Sequence, residues 1–219
     1  FNSHLYNQAK LNEKFLIAIN EKNIEKFKIL INKHHLNPSL ENNKLINYCY
    51  SNNLIDYAEE LSKDKRVDLT GGDGRGLIDA AIFGFIDVFK FIKSKHIHFS
   101  IFKNVFIYEA INSNNLELTK YLLEDFRVDP SEYKRYLIRD SIQNNVDYKI
   151  IKILMNDFRV YSNTNDIINS LAVANKMNKT KEVLLMFSIK SIQGNIKQAN
   201  PFLYESLYKK YIQSKLKDF

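Results

Sequence analysis

Apolar residues recur along the chain in short runs separated by polar turns. Over Leu116-Glu117-Leu118-Thr119-Lys120-Tyr121-Leu122-Leu123 they fall three and four apart, the spacing of one face of an α-helix. That run ends in Asp125-Phe126-Arg127-Val128-Asp129-Pro130-Ser131. The ending recurs as Asp64-Lys65-Arg66-Val67-Asp68 and Asp157-Phe158-Arg159-Val160, and more loosely as His35-Leu36-Asn37-Pro38-Ser39. Aligned on these tails, a small residue stands at Ala18, Cys49, Ala80, Ala110, Ser141 and Ala172, with spacings of 31, 31, 30, 31 and 31. Three positions earlier lie Phe15, Ile46, Leu77, Ile107 and Ile138, with Asn169 breaking the pattern in the sixth unit. Further along, Leu30, Leu61, Ile92, Leu122, Leu154 and Leu185 form a third register. Three registers held across six units define a repeat.

Each unit reads as two short helices. The first centres on the small residue, which lets neighbouring helices approach closely, and the second carries apolar residues at helical spacing. Between them stands Lys22, Asn53, Gly84, Asn114 or Asn145. Glycine and asparagine tolerate the left-handed conformation that ends a helix. Pro38 and Pro130 follow second helices, where proline stops them. One helix pair cannot bury its apolar face alone, so stacked neighbours supply the core. The pattern predicts an all-α solenoid of about six helical hairpins over residues 13–191.

Asp73-Gly74-Arg75-Gly76-Leu77-Ile78-Asp79-Ala80-Ala81-Ile82-Phe83-Gly84 resembles the start of an ankyrin repeat, D-G-x-T-P-L-H-x-A-A-x-x-G, in its aspartate, first glycine, leucine, both alanines and last glycine. The threonine-proline and histidine of that pattern are missing. The Asp-x-Arg-Val-Asp-Pro-Ser tail is similar to divergent ankyrin arrays, rich in Asn, Lys and Ile, of amoebae and their giant viruses. The resemblance covers roughly residues 13–191 and implies a non-enzymatic module that binds another protein on its surface. A period near 31 is shorter than the usual 33, which implies shortened loops between units.

Outside the repeats, residues 1–12 are expected to form a partial N-terminal cap. Residues 192–219 leave the register. There Asn200-Pro201 reads as a helix start, followed by Phe202, Leu203, Leu207, Tyr208, Tyr211 and Leu216, and the spacing predicts an amphipathic capping helix. Phe202, Leu203, Leu207 and Tyr211 are expected to fold onto the sixth unit. The 32 basic and 25 acidic residues leave a net charge of +7. More than half of that excess sits in residues 190–219, where six lysines face only Glu205 and Asp218. The longest apolar run, Ala80 to Ile86, falls far short of the ~20 residues of a membrane-spanning helix. A single cysteine, Cys49, excludes an intrachain disulfide and favours a reducing, cytoplasmic or nuclear setting. The chain starts at Phe1 without a basic-then-apolar leader and reads as a piece of a longer protein.

Several motifs invite a chemical role. Gly71-Gly72-Asp73-Gly74-Arg75-Gly76 lacks the Gly-Lys-Ser/Thr ending of a phosphate loop and no strand precedes it, so it reads as a turn between units. His34-His35 and His96-x-His98 have no nearby cysteine or carboxylate cluster to complete a metal site. Cys49, flanked by Tyr48 and Tyr50, reads as packing rather than as a nucleophile. Arg66, Arg127 and Arg159 share one register, which His35 and His96 fill elsewhere. Two residues earlier stand Asp64, Asp125 and Asp157. These pairs fit a structural role at the ends of second helices. No catalytic, cofactor or metal constellation emerges, and none is expected.

What remains points to surface recognition. After the small residue, other units carry Asn20-Glu21, Ser51-Asn52, Asn112-Ser113 and Gln143-Asn144. The third carries Ile82-Phe83, with Phe85 close by. This is either an exposed apolar contact site, or local repacking around Gly84 or contact with the loop of the next unit. With Tyr48, Tyr108, Glu109 and Arg139, these residues form the candidate partner-binding set. The alternative is an anionic partner, such as RNA, a ribonucleoprotein or acidic lipid. It would be held by Lys209, Lys210, Lys215 and Lys217, which interleave with Tyr208 and Tyr211.

Overall fold

Six left-handed residues punctuate the chain at matching places. Lys22, Asn53, Gly84, Asn114, Asn145 and Asn178 have φ between +53° and +73°. At each, the N–H of the next residue donates to a carbonyl five positions back. The bonds are Asn23 to Ala18, Leu54 to Cys49, Phe85 to Ala80, Asn115 to Ala110, Val146 to Ser141 and Lys179 to Ala174, all at 2.8–2.9 Å. The left-handed residue's own N–H reaches back three, as from Asn114 to Ile111 at 3.0 Å. This pair of bonds is the Schellman termination of an α-helix, and it recurs unchanged in all six units.

The computed structural model describes residues 13–33, 37–98, 102, 104–130, 137–161 and 164–217. All regular structure among them is helical. The expected cap over 1–12, and His34 and His35, lie outside the described residues.

Ala18, Cys49, Ala80, Ala110 and Ser141 are buried, as expected of a position that must admit a neighbouring helix. The sixth expected residue, Ala172, is exposed, and Ala174 takes its place at zero exposure. The last spacing is therefore 33, not 31. Two extra residues enter before the sixth hairpin, in the stretch that holds one short extra helix, Phe158–Tyr161. The same shift puts buried Leu171 where Asn169 was expected. Twelve positions after Ala174, the interval of the first four units, the third register falls on buried Met186 rather than on half-buried Leu185.

Two compact units divide the chain, residues 1–109 and 110–219. The first holds α1 (13–20), α2 (Ile24–Ile31), α3 (Leu40–Ser51), α4 (Ile55–Leu61), α5 (Arg75–Phe83), α6 (Ile86–Ser94) and the start of α7 (Val105–Asn112). Within it α3 packs on α5, while α2 packs on α4 and α4 on α6. First helices thus line up with first helices and second with second. An edge-to-face aromatic chain crosses the units of the repeat, with Phe15 to Phe27 at 5.3 Å and Phe27 to Tyr57 at 5.0 Å.

The second compact unit holds α8 (Leu116–Leu123), α9 (Leu137–Gln143), α10 (Tyr148–Met155), α11 (Phe158–Tyr161), α12 (Thr164–Lys176), α13 (Thr180–Phe187), α14 (Lys190–Ala199) and α15 (Pro201–Lys217). Here α9 packs on α12, α8 on α10 and α10 on α13, the same two layers. Asp166 of α12 is buried, and its carboxylate accepts the Ile138 N–H at the start of α9. Burial raises its pKa, and these hydrogen bonds offset part of the rise.

The C-terminal segment forms two helices, α14 and α15, both ending the fold against α13. Pro201 begins α15, and the Asn200 side chain accepts the Leu203 N–H at 3.0 Å, a capped start. Buried Leu207 faces inward, and Tyr204 and Tyr211 lie 5.6 and 5.9 Å from the Phe187 ring. Phe202, expected to anchor this contact, is instead 90% exposed. It lies on the far side of the helix turn from Leu207, and it is not alone there. Tyr208, Ile212 and Leu216 are exposed too, so α15 has two apolar faces rather than the single one expected of an amphipathic cap.

The glycine-rich turn belongs to the fold. α3 opens with one left-handed turn at Glu41, Asn42 and Asn43, and Asn43 Oδ1 accepts the Asp68 N–H at 2.9 Å. Asn47 donates to the Gly71 carbonyl and accepts the Gly76 N–H, each at 2.9 Å. Asp73 accepts the Arg75 N–H. Two N–H groups that a phosphate loop would present are thus engaged. Gly76 allows the close approach of α5 to α3, since a Cβ there would stand 2.4 Å from the Asn47 carbonyl oxygen.

The Asp-x-Arg-Val tails are built as clamps. In each, the aspartate accepts the arginine's own N–H and its Nε–H: Asp64 from Arg66, Asp125 from Arg127 and Asp157 from Arg159. Val67, Val128 and Val160 are buried beside them. Hydrogen bonds from Arg66 hold the Asp64 carboxyl below its usual range. Burial raises that of Asp157, but hydrogen bonds from Arg159 outweigh it and the net shift is downward. His96 does not belong to this row. It has φ +60° and ends α6, with the Ile97 N–H returning to the Ile92 carbonyl.

Candidate interaction surface

The sequence of α5 sets two alanines against the core and two large apolar residues against water. Ala80 and Ala81 are fully buried. Ile82 and Phe83 follow on the outward side of the last turn, and Phe83 is 62% exposed. Gly84 (φ +73°) then reverses the chain without a Cβ clash. The reversal brings half-buried Phe85, the N-terminal boundary of α6, beside Phe83, with ring centroids 5.6 Å apart. Of the two alternatives the sequence left open, exposure is the one observed. The equivalent pairs in the first, second, fourth and fifth units are polar.

The rest of the candidate set lies on other helices. Tyr48 is half-buried on α3 and borders a groove with Asn20, Asn52, Leu54 and Tyr57. Tyr108 and Glu109 are half-buried on α7. Arg139 lies in the other compact unit, on α9, where Nη2 donates to Asp140 Oδ1 at 3.0 Å. Of the seven, Phe83 and Phe85 are joined by a ring contact, with Ile82 next to Phe83 in sequence.

Two exposed aromatics escaped the sequence reading. Phe126 and Phe158 are 85% and 67% exposed, each held outward by its Asp-Arg clamp. The signal was present. The same tail position carries exposed Lys65 in the second unit, so it faces solvent wherever the clamp forms.

On α15 the side chains of Lys209, Lys210 and Lys215 are exposed. Lys210 Nζ lies 3.2 Å from Asn175 Oδ1, and Lys215 sits over the Tyr211 ring at 5.9 Å. The side chain of Lys217 lies outside the described residues.

Cys49 is fully buried, and desolvation pushes its thiol up to about 12, which keeps it protonated and unreactive at neutral pH. Among the described residues, no three His, Cys, Asp or Glu side chains gather as metal ligands would. No described helix is long and apolar enough to cross a membrane. Compared with models of protein families, with curated proteins and with solved structures, the chain matches none.

Proposed function

We propose that the chain is a non-enzymatic protein–protein interaction module, a solenoid of divergent ankyrin-type hairpins working in a reducing, cytoplasmic setting. The observation that carries this reading is the Ile82–Phe83–Phe85 cluster. A tilted pair of aromatic rings, Phe83 exposed and Phe85 half-buried, lies beside exposed Ile82, and four other units fill the Ile82-Phe83 position with polar residues. Single exposed apolar side chains are ordinary, Met177 at the Phe83 position of the sixth unit among them, but three clustered in one unit serve no packing purpose that the repeat itself requires. Six equivalent hairpin terminations and the two-layer packing inside each compact unit support the ankyrin-type reading. The partner would seat an apolar group against Phe83, with Tyr48, Tyr108 and Glu109 as flanking contacts on the same compact unit. The test is cross-linking and capture with wild-type protein and with Phe83→Asp, followed by mass spectrometry. A partner recovered by the first and lost by the second supports the reading. Identical captures refute the site.

A second reading, an anionic partner on α15, is favoured by the outward lysines Lys209, Lys210 and Lys215.

A further inference from the structure

α15 is 17 residues long, about 25 Å, and winds one turn every 3.6 residues. Leu207 and Tyr211 fix its inner face against Phe187. At 100° per residue, Ile212, Leu216 and Phe202 then fall on the opposite side of the helix, with Tyr208 between the two faces, and all four are exposed. Phe202 at 90% and Leu216 at 69% are among the most exposed large apolar side chains among the described residues. Lys209 and Glu205 fall within this stripe, and Lys210 and Lys215 stand to its two sides, with Lys210 Nζ 3.2 Å from Asn175 Oδ1, so apolar groups and a net positive charge share the outward surface.

We propose that the outer face of α15 docks on an acidic phospholipid surface. Phe202, Ile212 and Leu216 enter the boundary between headgroups and acyl chains, and the lysines stand over the lipid phosphates. A helix with this distribution lies in the plane of the interface, sunk by about 5–10 Å. The long lysine side chains let their stems cover apolar surface while the ammonium stays with the phosphates. The inference rests on the reading of α15 as a surface for an anionic partner, and narrows it to lipid.

The occupant follows from the chemistry of the exposed groups. Single-stranded nucleic acid needs aromatic faces on which bases stack. Here Tyr204 and Tyr211 turn toward Phe187, and Tyr208 is stacked on Tyr204 at 5.6 Å with 17° between the planes. Phe202 projects furthest and offers a single stacking face, while Leu216 and Ile212 beside it give a base nothing to stack on but partition into a bilayer interface. A second copy of the chain is disfavoured by charge. Lys209, Lys210, Lys215 and Lys217 face Glu205 alone on this helix, and two such helices repel.

The test is co-sedimentation of the full chain with vesicles of phosphatidylcholine alone and with equimolar phosphatidylcholine and phosphatidylserine. A single-stranded RNA binding assay and light scattering of the protein alone run beside it. The expected result is binding to the acidic vesicles only, weakened by added salt. Phe202→Ser with Leu216→Ser should lower that partitioning about tenfold or more, with an unchanged melting temperature. Lys209→Gln and Lys210→Gln should each lower it about fivefold. Glu205→Gln should raise it. Acidic-vesicle binding that the double serine variant leaves intact overturns the inference. RNA binding without vesicle binding also overturns it while keeping the broader anionic reading, and binding to neither removes both. Self-association abolished by the serine variant, without vesicle binding, assigns the face to a second copy and overturns it too.

Discussion

Nη2 of Arg159 donates to the carbonyl of Leu123 at 2.9 Å, across 36 positions of sequence. Nη1 reaches the carbonyls of Asp125 and Val128. Leu123 is the last residue of α8, so its carbonyl is one that the helix end leaves without an intrahelical partner, while the Asp125 carbonyl also accepts the Val128 N–H at 2.9 Å. Pairing with Asp157 fixes the guanidinium in the orientation that serves them. Arg159→Ala should therefore cost about 2–3 kcal/mol, since it strands partly buried acceptors and a carboxylate together. Arg66→Ala removes a more exposed pair within its own tail and should cost under about 1 kcal/mol. Lysine at 159 lacks the planar fork and should recover little. Denaturant midpoints of the three variants decide this, and equal losses for Arg66 and Arg159 would count against the interlocking role.

Acid should weaken the fold through these clamps. Arg66 and Arg159 hold the carboxyls of Asp64 and Asp157 below their ordinary range. A depressed folded-state pKa contributes stability that is present above the unfolded value, about 3.9, and is lost as pH falls through the folded one. Stability should thus decline below about pH 4, and Arg159→Ala should flatten that decline because Asp157 then titrates nearer its unfolded value. Buried Asp166 acts in the opposite sense, since its raised pKa makes ionisation on going up in pH a cost to the fold. Unfolding free energies of wild type and variant between pH 2.5 and 6, roughly spanning the carboxylate range, test the slope.

Five of the six hairpins were legible because two constraints coincide in sequence. The turn needs a residue that accepts a left-handed backbone, and the position four earlier needs a small side chain. Asn53, Asn114 and Asn145 thereby locate Cys49, Ala110 and Ser141. The sixth was misplaced because counting 31 from Ser141 lands on Ala172, and an inserted pair of residues leaves no signal in a period. Asn178 is that signal, since four positions before it lies Ala174. Exposure is harder to read. Only the polar residues at the equivalent positions of other units set Phe83, which faces water, apart from buried Phe89, and Phe202 looked like an anchor because it continues the apolar spacing of α15. The corrected register makes a sharp prediction. Ala174→Leu should overpack the sixth hairpin and cost about 1–3 kcal/mol, while Ala172→Leu should change stability by less than about 0.5 kcal/mol. Thermal melts that rank them the other way would restore the original alignment.

Two helical glycines should respond oppositely to alanine. At Gly76 a Cβ would stand 2.6 Å from the Asn47 Cα and 2.4 Å from its carbonyl oxygen, contacts with backbone that cannot rotate away. Gly76→Ala forces α5 off α3 and should destabilise by about 1–3 kcal/mol. At Gly194, inside α14, a Cβ meets nothing within 4 Å. Gly194→Ala should stabilise by about 0.5–1 kcal/mol, the ordinary gain of alanine over glycine in a helix. Melting both variants beside wild type gives the two signs directly.

The most consequential substitution is Phe83→Asp. Because Phe83 is 62% exposed and ends α5 rather than packing under it, a charge there should leave the melting temperature within experimental error. Its ring is nonetheless the most exposed member of the apolar cluster, and interface energy concentrates in a few such anchors. Loss of a phenylalanine anchor typically costs about 2 kcal/mol or more, roughly thirtyfold in affinity. Phe126→Asp serves as the control. It too is an exposed phenylalanine, but its clamp lies in the other compact unit, and its loss should leave that affinity unchanged. Affinity for the captured partner and melting temperature, measured together on the two variants, separate the outcomes. Weak binding with normal melting for Phe83→Asp alone places the partner at the third unit. Weak binding for both variants means that exposed aromatics bind without discrimination, and a lower melting temperature for Phe83→Asp means that its ring contributes to packing instead.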